Sequence, residues 1–310
     1  MLKASRLDTH SGPGPRAAGA TRPGATRPTR PGTGDPAMPP ERTIRENFPV
    51  ALRILPARHR VALGAVYRYA RLIDDIGDEA PPAERGRLFD LVDRDIDRIF
   101  AGSVPELPAL RAIGLVAREH GIPEAPLRKL VQANRQDQEI HRYATWEQLV
   151  EYCALSADPV GHLVLHVFDA ASPERIALSD HICTALQVIE HCQDVAEDFA
   201  DGRVYLPATD LKLFGCTDAD LGAATTPTRL RGVVARNADR AAGLLDQGAP
   251  LIGKLDGWAR VAVAGYLAGG RATLAALSGG AYDVHAARLR PSRARTLGEA
   301  LLILGRDVAK

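Results

Sequence analysis

From Glu41 onward, apolar residues recur every three or four positions. The long stretches with this period fall near 59–79, 83–100, 106–120, 125–140, 145–156, 159–169, 174–200, 227–247, 256–278 and 296–308. Pro81-Pro82, Gly102, Gly121-Ile122-Pro123, Pro173, Gly202 and Gly279-Gly280 punctuate them. No run alternates apolar and polar residues between hairpin signals, and Arg203–Leu206 is too short to found a sheet. Connections are short, and no second break in composition follows residue 40. The pattern predicts that residues 41–310 form one all-α domain, a single large helical bundle big enough to enclose a central apolar cavity.

Residues 1–40 differ. They hold eight prolines and six glycines, with almost no large apolar residue after Leu7. Such a segment cannot bury enough surface to offset its ordering entropy, so it is expected to be a disordered Pro/Gly/Arg-rich leader. It has no apolar core of the kind a secretory signal needs. Met38 stands where the composition turns globular, and the expectation is that it is the true start. The chain's formal charge of +1 divides unevenly: Lys3 and five arginines against Asp8 and Asp35 give the leader +4, which leaves −3 for the body. An acidic body argues against electrostatic nucleic-acid binding. Val261–Ala281 is apolar but is interrupted by Arg271 and five glycines, which argues against a membrane span. Cys153, Cys183, Cys192 and Cys216 form no C-x-x-C pair and read as reduced thiols of a cytoplasmic protein.

Two helices carry acidic faces. On a wheel of ~100° per residue, Ala62, Ala65, Val66, Tyr69, Ile73 and Ile76 gather on one side of the first. Tyr67, Arg71, Asp74 and Asp78 gather opposite, with Asp75 at the edge. In the second, Ile182, Ala185, Leu186, Ile189 and Ala196 make the apolar side, and Gln187, His191, Asp194 and Asp198 line up opposite with Glu190 on the flank. Each face sets two carboxylates one turn apart, which costs an isolated helix a few tenths of a kcal/mol. Solvation would account for one such face. Two of them, each with uncharged polar neighbours, would make an oxygen-rich site for divalent cations if they met across a cavity. Mg²⁺ suits that site, because it takes one or two carboxylates and fills its shell with water and phosphate oxygens. A diphosphate so held becomes a leaving group.

The run Tyr67–Glu79 (YRYARLIDDIGDE), the run Gln187–Asp198 (QVIEHCQDVAED) and Gly202–Pro207 (GRVYLP) together resemble the squalene/phytoene synthase family over about residues 44–278. Glu46–Ala51 with Leu55-Pro56, and Ser156–Gly161 with Leu163–Leu165, are similar to its hopanoid-pathway branch, the HpnC-type hydroxysqualene synthases. The resemblance implies an isoprenoid (trans-prenyl diphosphate) synthase fold around a deep apolar pocket. It also implies several Mg²⁺ ions with the substrate diphosphate, and presqualene diphosphate or farnesyl diphosphate as substrate. Carried over by position, it makes Asp74, Asp78, Asp194 and Asp198 metal ligands, and Tyr67, Arg71, Gln187, Arg203 and Tyr205 contacts to diphosphate or carbocation. Asn47 stands where many relatives have a diphosphate-touching Ser, and Asp137 matches an acidic organiser on a neighbouring helix. Condensing relatives read N-x-x-R-D before the second aspartate, whereas this chain has Glu190 and Gln193.

That departure favours a carbon-oxygen lyase, a hydroxysqualene synthase that ionises presqualene diphosphate and captures the cation with water, with Glu190 either on Mg²⁺ or on that water. The alternatives are a prenyltransferase joining two prenyl diphosphates to presqualene or prephytoene diphosphate, and a non-catalytic prenyl-binding scaffold. A pathway partner synthase would supply presqualene diphosphate. No nicotinamide cofactor is expected, since no G-x-G-x-x-G follows a strand. His162 and His166 lack the frame of a zinc helix, and no His-Asp dipeptide marks a phosphohydrolase. Arg288, Arg290, Arg293 and Arg295 read either as a solvated helix end or as a peripheral contact with anionic lipid.

Overall fold

A computed structural model describes residues 54–285, 289 and 291–306. The leader with Met38, the candidate Asn47, and Arg288 and Arg290 lie outside the described residues. The first helix, α1 (Ala57–Asp78), buries Ala62, Ala65, Val66, Tyr69, Ile73 and Ile76, the face set by the 3.6-residue period. Helices α2 (Pro82–Phe100), α3 (Pro108–His120) and α4 (Glu124–Gln136) follow. Prolines open α2 and α3, where no backbone N–H is needed, and Gly121 closes α3 in the left-handed conformation. Helix α5 (Trp146–Ser156) is capped by Thr145, which accepts from the Gln148 N–H, and α6 is Asp158–Val167.

Helix α7 (Pro173–Gln193) starts from the Ser172 cap, and α8 (Val195–Ala200) continues it after a break. Short helices α9 (Ala208–Leu213) and α10 (Asp218–Leu221) lead to α11 (Thr228–Gly248), a 3₁₀ segment (Ala249–Lys254), α12 (Gly257–Gly279) and α13 (Arg293–Arg306). Among the described residues there is no strand, only one bridge between Arg142 and Val204. The bundle is all-α, as the periodicity predicts.

Three expectations need correction. The stretch 125–140 stops being helical at Gln136, so Asp137 sits just beyond α4. The stretch 174–200 is interrupted at Asp194, whose φ of −102° and ψ of 20° leave helical geometry. That step changes the register beyond it: Val195 is buried and Ala196, placed on the apolar face by a continuous wheel, is exposed. By length and a mean hydropathy of 1.2, α12 is apolar enough to cross a membrane, so Arg271 and the glycines do not exclude a span on composition. Its packing supplies the other reading, a core helix that buries Ala264, Leu267, Ala268, Ala272 and Leu277 and pairs Arg271 with Asp246 at 2.7 Å.

The core has two apolar clusters. The first joins α1, α2, α3, α4 and α6 through residues such as Leu63, Tyr69, Phe89, Leu110, Leu127 and Leu163. The second joins α5, α7, α11 and α12 through Leu149, Val188, Val233, Leu245 and Leu267. Each large side chain fully buried is worth roughly 1.5–3 kcal/mol. Phe168 packs against both clusters.

Candidate active site

Asp74 is buried on α1, and the neighbour it meets is on α4: the Asn134 amide donates to Asp74 Oδ1 at 3.3 Å. Gly77 allows that approach, since a Cβ there would lie 2.6 Å from Asn134 Oδ1. Burial, with the Asp78 carboxylate adding to it, pushes the Asp74 carboxyl up to about 8. Arg71 turns along its own helix, 2.7 Å from Asp75 and 3.4 Å from Glu79. Tyr67 is half-buried one turn before it.

Asp78 reaches across the molecule. Arg203 donates to its Oδ1 at 2.7 Å, and the guanidinium is largely enclosed. Burial works against that charge, but the Tyr205, Asp78 and Asp137 oxygens outweigh it and raise the pKa of Arg203. The backbone fixes the segment that carries Arg203 and Tyr205. Val204 N donates to His141 O at 2.8 Å, Ala208 N to Tyr143 O at 2.9 Å and Thr209 N to Ala144 O at 3.1 Å. These bonds lay the GRVYLP segment beside the chain that leaves α4.

Asp137 is the hub there. Buried, it accepts from the Tyr152 hydroxyl at 2.7 Å on Oδ2 and from Tyr205 at 3.4 Å on Oδ1. Burial holds both phenols well above the ordinary tyrosine range, so they remain donors. Tyr205 stacks on His191 with ring centres 3.8 Å apart and planes 13° apart, and Tyr143 stacks on Tyr205 at 5.8 Å and meets Tyr152 in a tilted contact at 5.2 Å. Gln187, His191, Asp194 and Asp198, the predicted second face, are all buried. The Gln187 amide nitrogen lies 3.1 Å from His191 Nε2, and His191 Nδ1 lies 3.7 Å from Asp198 Oδ2. A small cavity beside them is lined by His191, Asp198, Arg203, Tyr205, Leu206 and Leu221.

The structure thus links the two acidic helices through Arg203, Tyr205 and Asp137. Glu190 is half-buried on α7. Gln193 faces elsewhere and donates to Leu289 O at 2.6 Å. Sequence reasoning missed Asn134, Tyr143 and Tyr152, and assigned His191 no role. Only His191 carried a signal, its place on the polar stripe of α7. His162 is engaged by Asp180 at 2.7 Å. The four cysteines are free thiols, and burial pushes Cys183 and Cys192 up to about 12.

Among the described residues, no three His, Cys, Asp or Glu side chains gather closely enough to hold a metal ion unaided. The donor set suits a hard cation that takes one or two carboxylates and completes its shell from water and phosphate. Asp74 fits that need: a buried carboxyl held near 8 is one that a nearby cation would return to its charged form.

The family model for squalene/phytoene synthase matches residues 42–295. The chain is 34% identical over 214 residues to a hydroxysqualene synthase of Sinorhizobium fredii, covering 68% of this chain and 71% of that one. It is also 34% identical over 219 residues to a phytoene synthase of Mycobacterium bovis, covering 69% and 72%. The crystal structure of squalene synthase HpnC from Alicyclobacillus acidocaldarius superposes with a TM-score of 0.71 at 39% identity, over 76% of this chain and 89% of that one.

Proposed function

We propose, on the premise that this chain belongs to the squalene/phytoene synthase family, that it is an Mg²⁺-dependent hydroxysqualene synthase. In this reading it ionises presqualene diphosphate and captures the cation with water, a lyase reaction. The C–O bond to diphosphate breaks with its electron pair leaving on diphosphate. A water oxygen then bonds to the rearranged C30 cation and loses one proton, giving a tertiary alcohol. Equal identity to a hydroxysqualene synthase and to a phytoene synthase means that overall similarity does not choose between capture and condensation. The choice rests on the turn of α7 before Asp194.

The observation that carries the reading is Gln193, whose amide is used on Leu289 O at 2.6 Å where condensing relatives carry an arginine. Gln193 itself brings no positive charge to that turn. The lyase reaction needs a site for one diphosphate, and Arg203, largely enclosed, sits between the two acidic faces on Asp78. Asp74, Asp78, Asp194 and Asp198 would hold Mg²⁺, which when bound stabilises the negative charge gathering on the departing diphosphate. Arg203, released from Asp78, would donate to that same charge. Asp137 holds Tyr205 and Tyr152 in place, and the stacked Tyr205 and His191 rings offer π faces beside the site. Gln187 and the flanking Glu190 are the polar groups on hand to orient a water.

With presqualene diphosphate and Mg²⁺ in ¹⁸O-water and no NADPH, the product should be a C30 tertiary alcohol carrying solvent oxygen. Added NADPH should not divert it to squalene. Conversion of farnesyl diphosphate alone to presqualene diphosphate would establish the condensing transferase instead, and binding of an analogue without turnover of either substrate would establish a scaffold.

A further inference from the structure

His191 stands where three residues of the site meet, and the polarity of its contacts dictates how the ring is used. The side chain is buried and stacks on Tyr205, whose hydroxyl is held by Asp137, so the plane of the imidazole is set. Its two nitrogens then face different partners. Nε2 lies 3.1 Å from the Gln187 amide nitrogen, and Nδ1 lies 3.7 Å from Asp198 Oδ2. An amide nitrogen only donates, so Nε2 accepts from Gln187 and carries no hydrogen. The proton of the neutral ring is therefore on Nδ1, toward the Asp198 carboxylate. Asp198, Arg203 and Tyr205 line the small cavity together with His191, which puts these contacts at the wall of the site.

The contact with Asp198 depends on the broken helix. Residues seven apart on a straight helix are about 10.5 Å apart along its axis, farther than a histidine and an aspartate can bridge. The chain leaves helical geometry at Asp194, between α7 and α8, and Asp198 comes back beside His191. Packing alone does not account for the residue. A ring needed only to cover Tyr205 would serve as well without nitrogens, and burying two of them costs free energy that polar partners have to offset.

We propose that His191 is a positioning residue for the metal site: a neutral imidazole that accepts from Gln187 and turns its Nδ1–H to Asp198, holding that carboxylate in one orientation for Mg²⁺. The inference rests on the reading above that Asp198 helps to hold Mg²⁺. A ligand carboxylate steadied through one oxygen keeps its direction, and loss of such a partner weakens metal binding by about ten- to a hundredfold.

Two variants separate this role from packing. His191→Phe keeps a flat ring against Tyr205 and removes both nitrogens. His191→Asn gives up the stack and keeps an amide N–H near the position of Nδ1. Mg²⁺ binding to the full chain is measured by calorimetry in the presence of inorganic diphosphate, with no turnover involved. The expected result for His191→Phe is a loss of about tenfold or more in Mg²⁺ affinity, with the thermal midpoint of the metal-free protein retained. His191→Asn should recover much of that affinity. A packing role predicts the reverse order, and either that order or wild-type affinity in His191→Phe would overturn this proposal alone. Failure of the wild-type chain to bind Mg²⁺ with diphosphate would bring down the metal assignment as well. The tautomer is read without any variant, from long-range proton–nitrogen spectra of the metal-free protein with His191 assigned through its backbone. A hydrogen on Nδ1 is expected, and a hydrogen on Nε2 would overturn the proposal.

Discussion

Arg203 donates to Asp78 Oδ1 at 2.7 Å, joining residues 125 positions apart in the chain. This ion pair holds the GRVYLP segment against α1 and stands between the two acidic helices, with Asp137, Tyr205 and His191 on its other side. Arg203→Gln should therefore cut kcat/KM for presqualene diphosphate by about a hundredfold or more, the scale of losing an aligned donor to a departing anion. Arg203→Lys should restore little, since an ammonium cannot reproduce the planar fork. Steady-state rates for the two variants check this, and near-wild-type rates for the lysine variant would show that charge alone suffices.

Asp74→Asn and Asp194→Asn should each abolish turnover at saturating Mg²⁺, with a loss on the order of a thousandfold. Neither should unfold the protein. For Asp74 the amide replaces a buried carboxylate whose charge burial already disfavours, so the thermal midpoint of the metal-free protein should not fall at pH 8. Circular dichroism melting beside the rate assay separates the two effects. Retained activity in both variants would refute the metal assignment.

The all-α bundle and both acidic faces are legible in the sequence because each rests on a local period of 3.6 residues that the core then enforces. The inward face of α1 is buried at all six predicted positions. The break at Asp194 was not legible: no Gly or Pro marks it, and Asp194 N still donates to Glu190 O at 2.9 Å, so it is a matter of dihedral angle. Asn134, Tyr143 and Tyr152 were not legible either. Their roles exist only once α4, α5 and the GRVYLP segment are side by side, and nothing in their local sequence distinguishes a core tyrosine from one bonded to Asp137. Helices α9 and α10 are too short for a periodicity to show.

Gly77→Ala tests the close contact of α1 with α4. A methyl group 2.6 Å from Asn134 Oδ1 must push that amide off Asp74 or part the helices. Overpacking of this kind costs about 1–3 kcal/mol. The expected result is a lower midpoint in urea unfolding together with reduced turnover. A midpoint equal to wild type would mean that Asn134 swings aside freely.

Asp158, at the start of α6, supplies a pH dependence of stability. It is buried, accepts from Thr184 Oγ1 at 2.9 Å, and its carboxyl is pushed up to about 7 by burial and by the Asp180 charge. A carboxyl with a raised folded-state pKa binds its proton more tightly folded than unfolded. Stability from this group is therefore greatest below the unfolded value near 4 and declines as pH rises toward 7, by up to a few kcal/mol. In Asp158→Asn, where the amide oxygen can still accept from Thr184, that decline between pH 4 and 7 should flatten. Urea midpoints measured across the range check the slope, and an unchanged slope would assign the decline to other groups.

The turn before Asp194 carries two residues whose roles separate cleanly. Gln193 donates to Leu289 O at 2.6 Å, which fastens α7 to the chain segment ahead of α13, while Glu190 lies one turn before Asp194 on the flank of the Gln187 face. Removing the first should be a matter of stability. Gln193→Ala deletes one buried-side donor and should lower stability by about 1 kcal/mol, with the product from presqualene diphosphate unchanged. Removing the charge of the second should be a matter of chemistry. If Glu190 orients the capturing water, Glu190→Gln keeps shape and hydrogen-bonding capacity but weakens that hold. The freed cation should then drain into C30 hydrocarbons or a rearranged alcohol while diphosphate release continues. If Glu190 instead supports Mg²⁺, diphosphate release and alcohol formation should fall together. Gas chromatography of products alongside a diphosphate assay distinguishes the two, and a Glu190→Gln variant with wild-type values of both would remove Glu190 from the reaction.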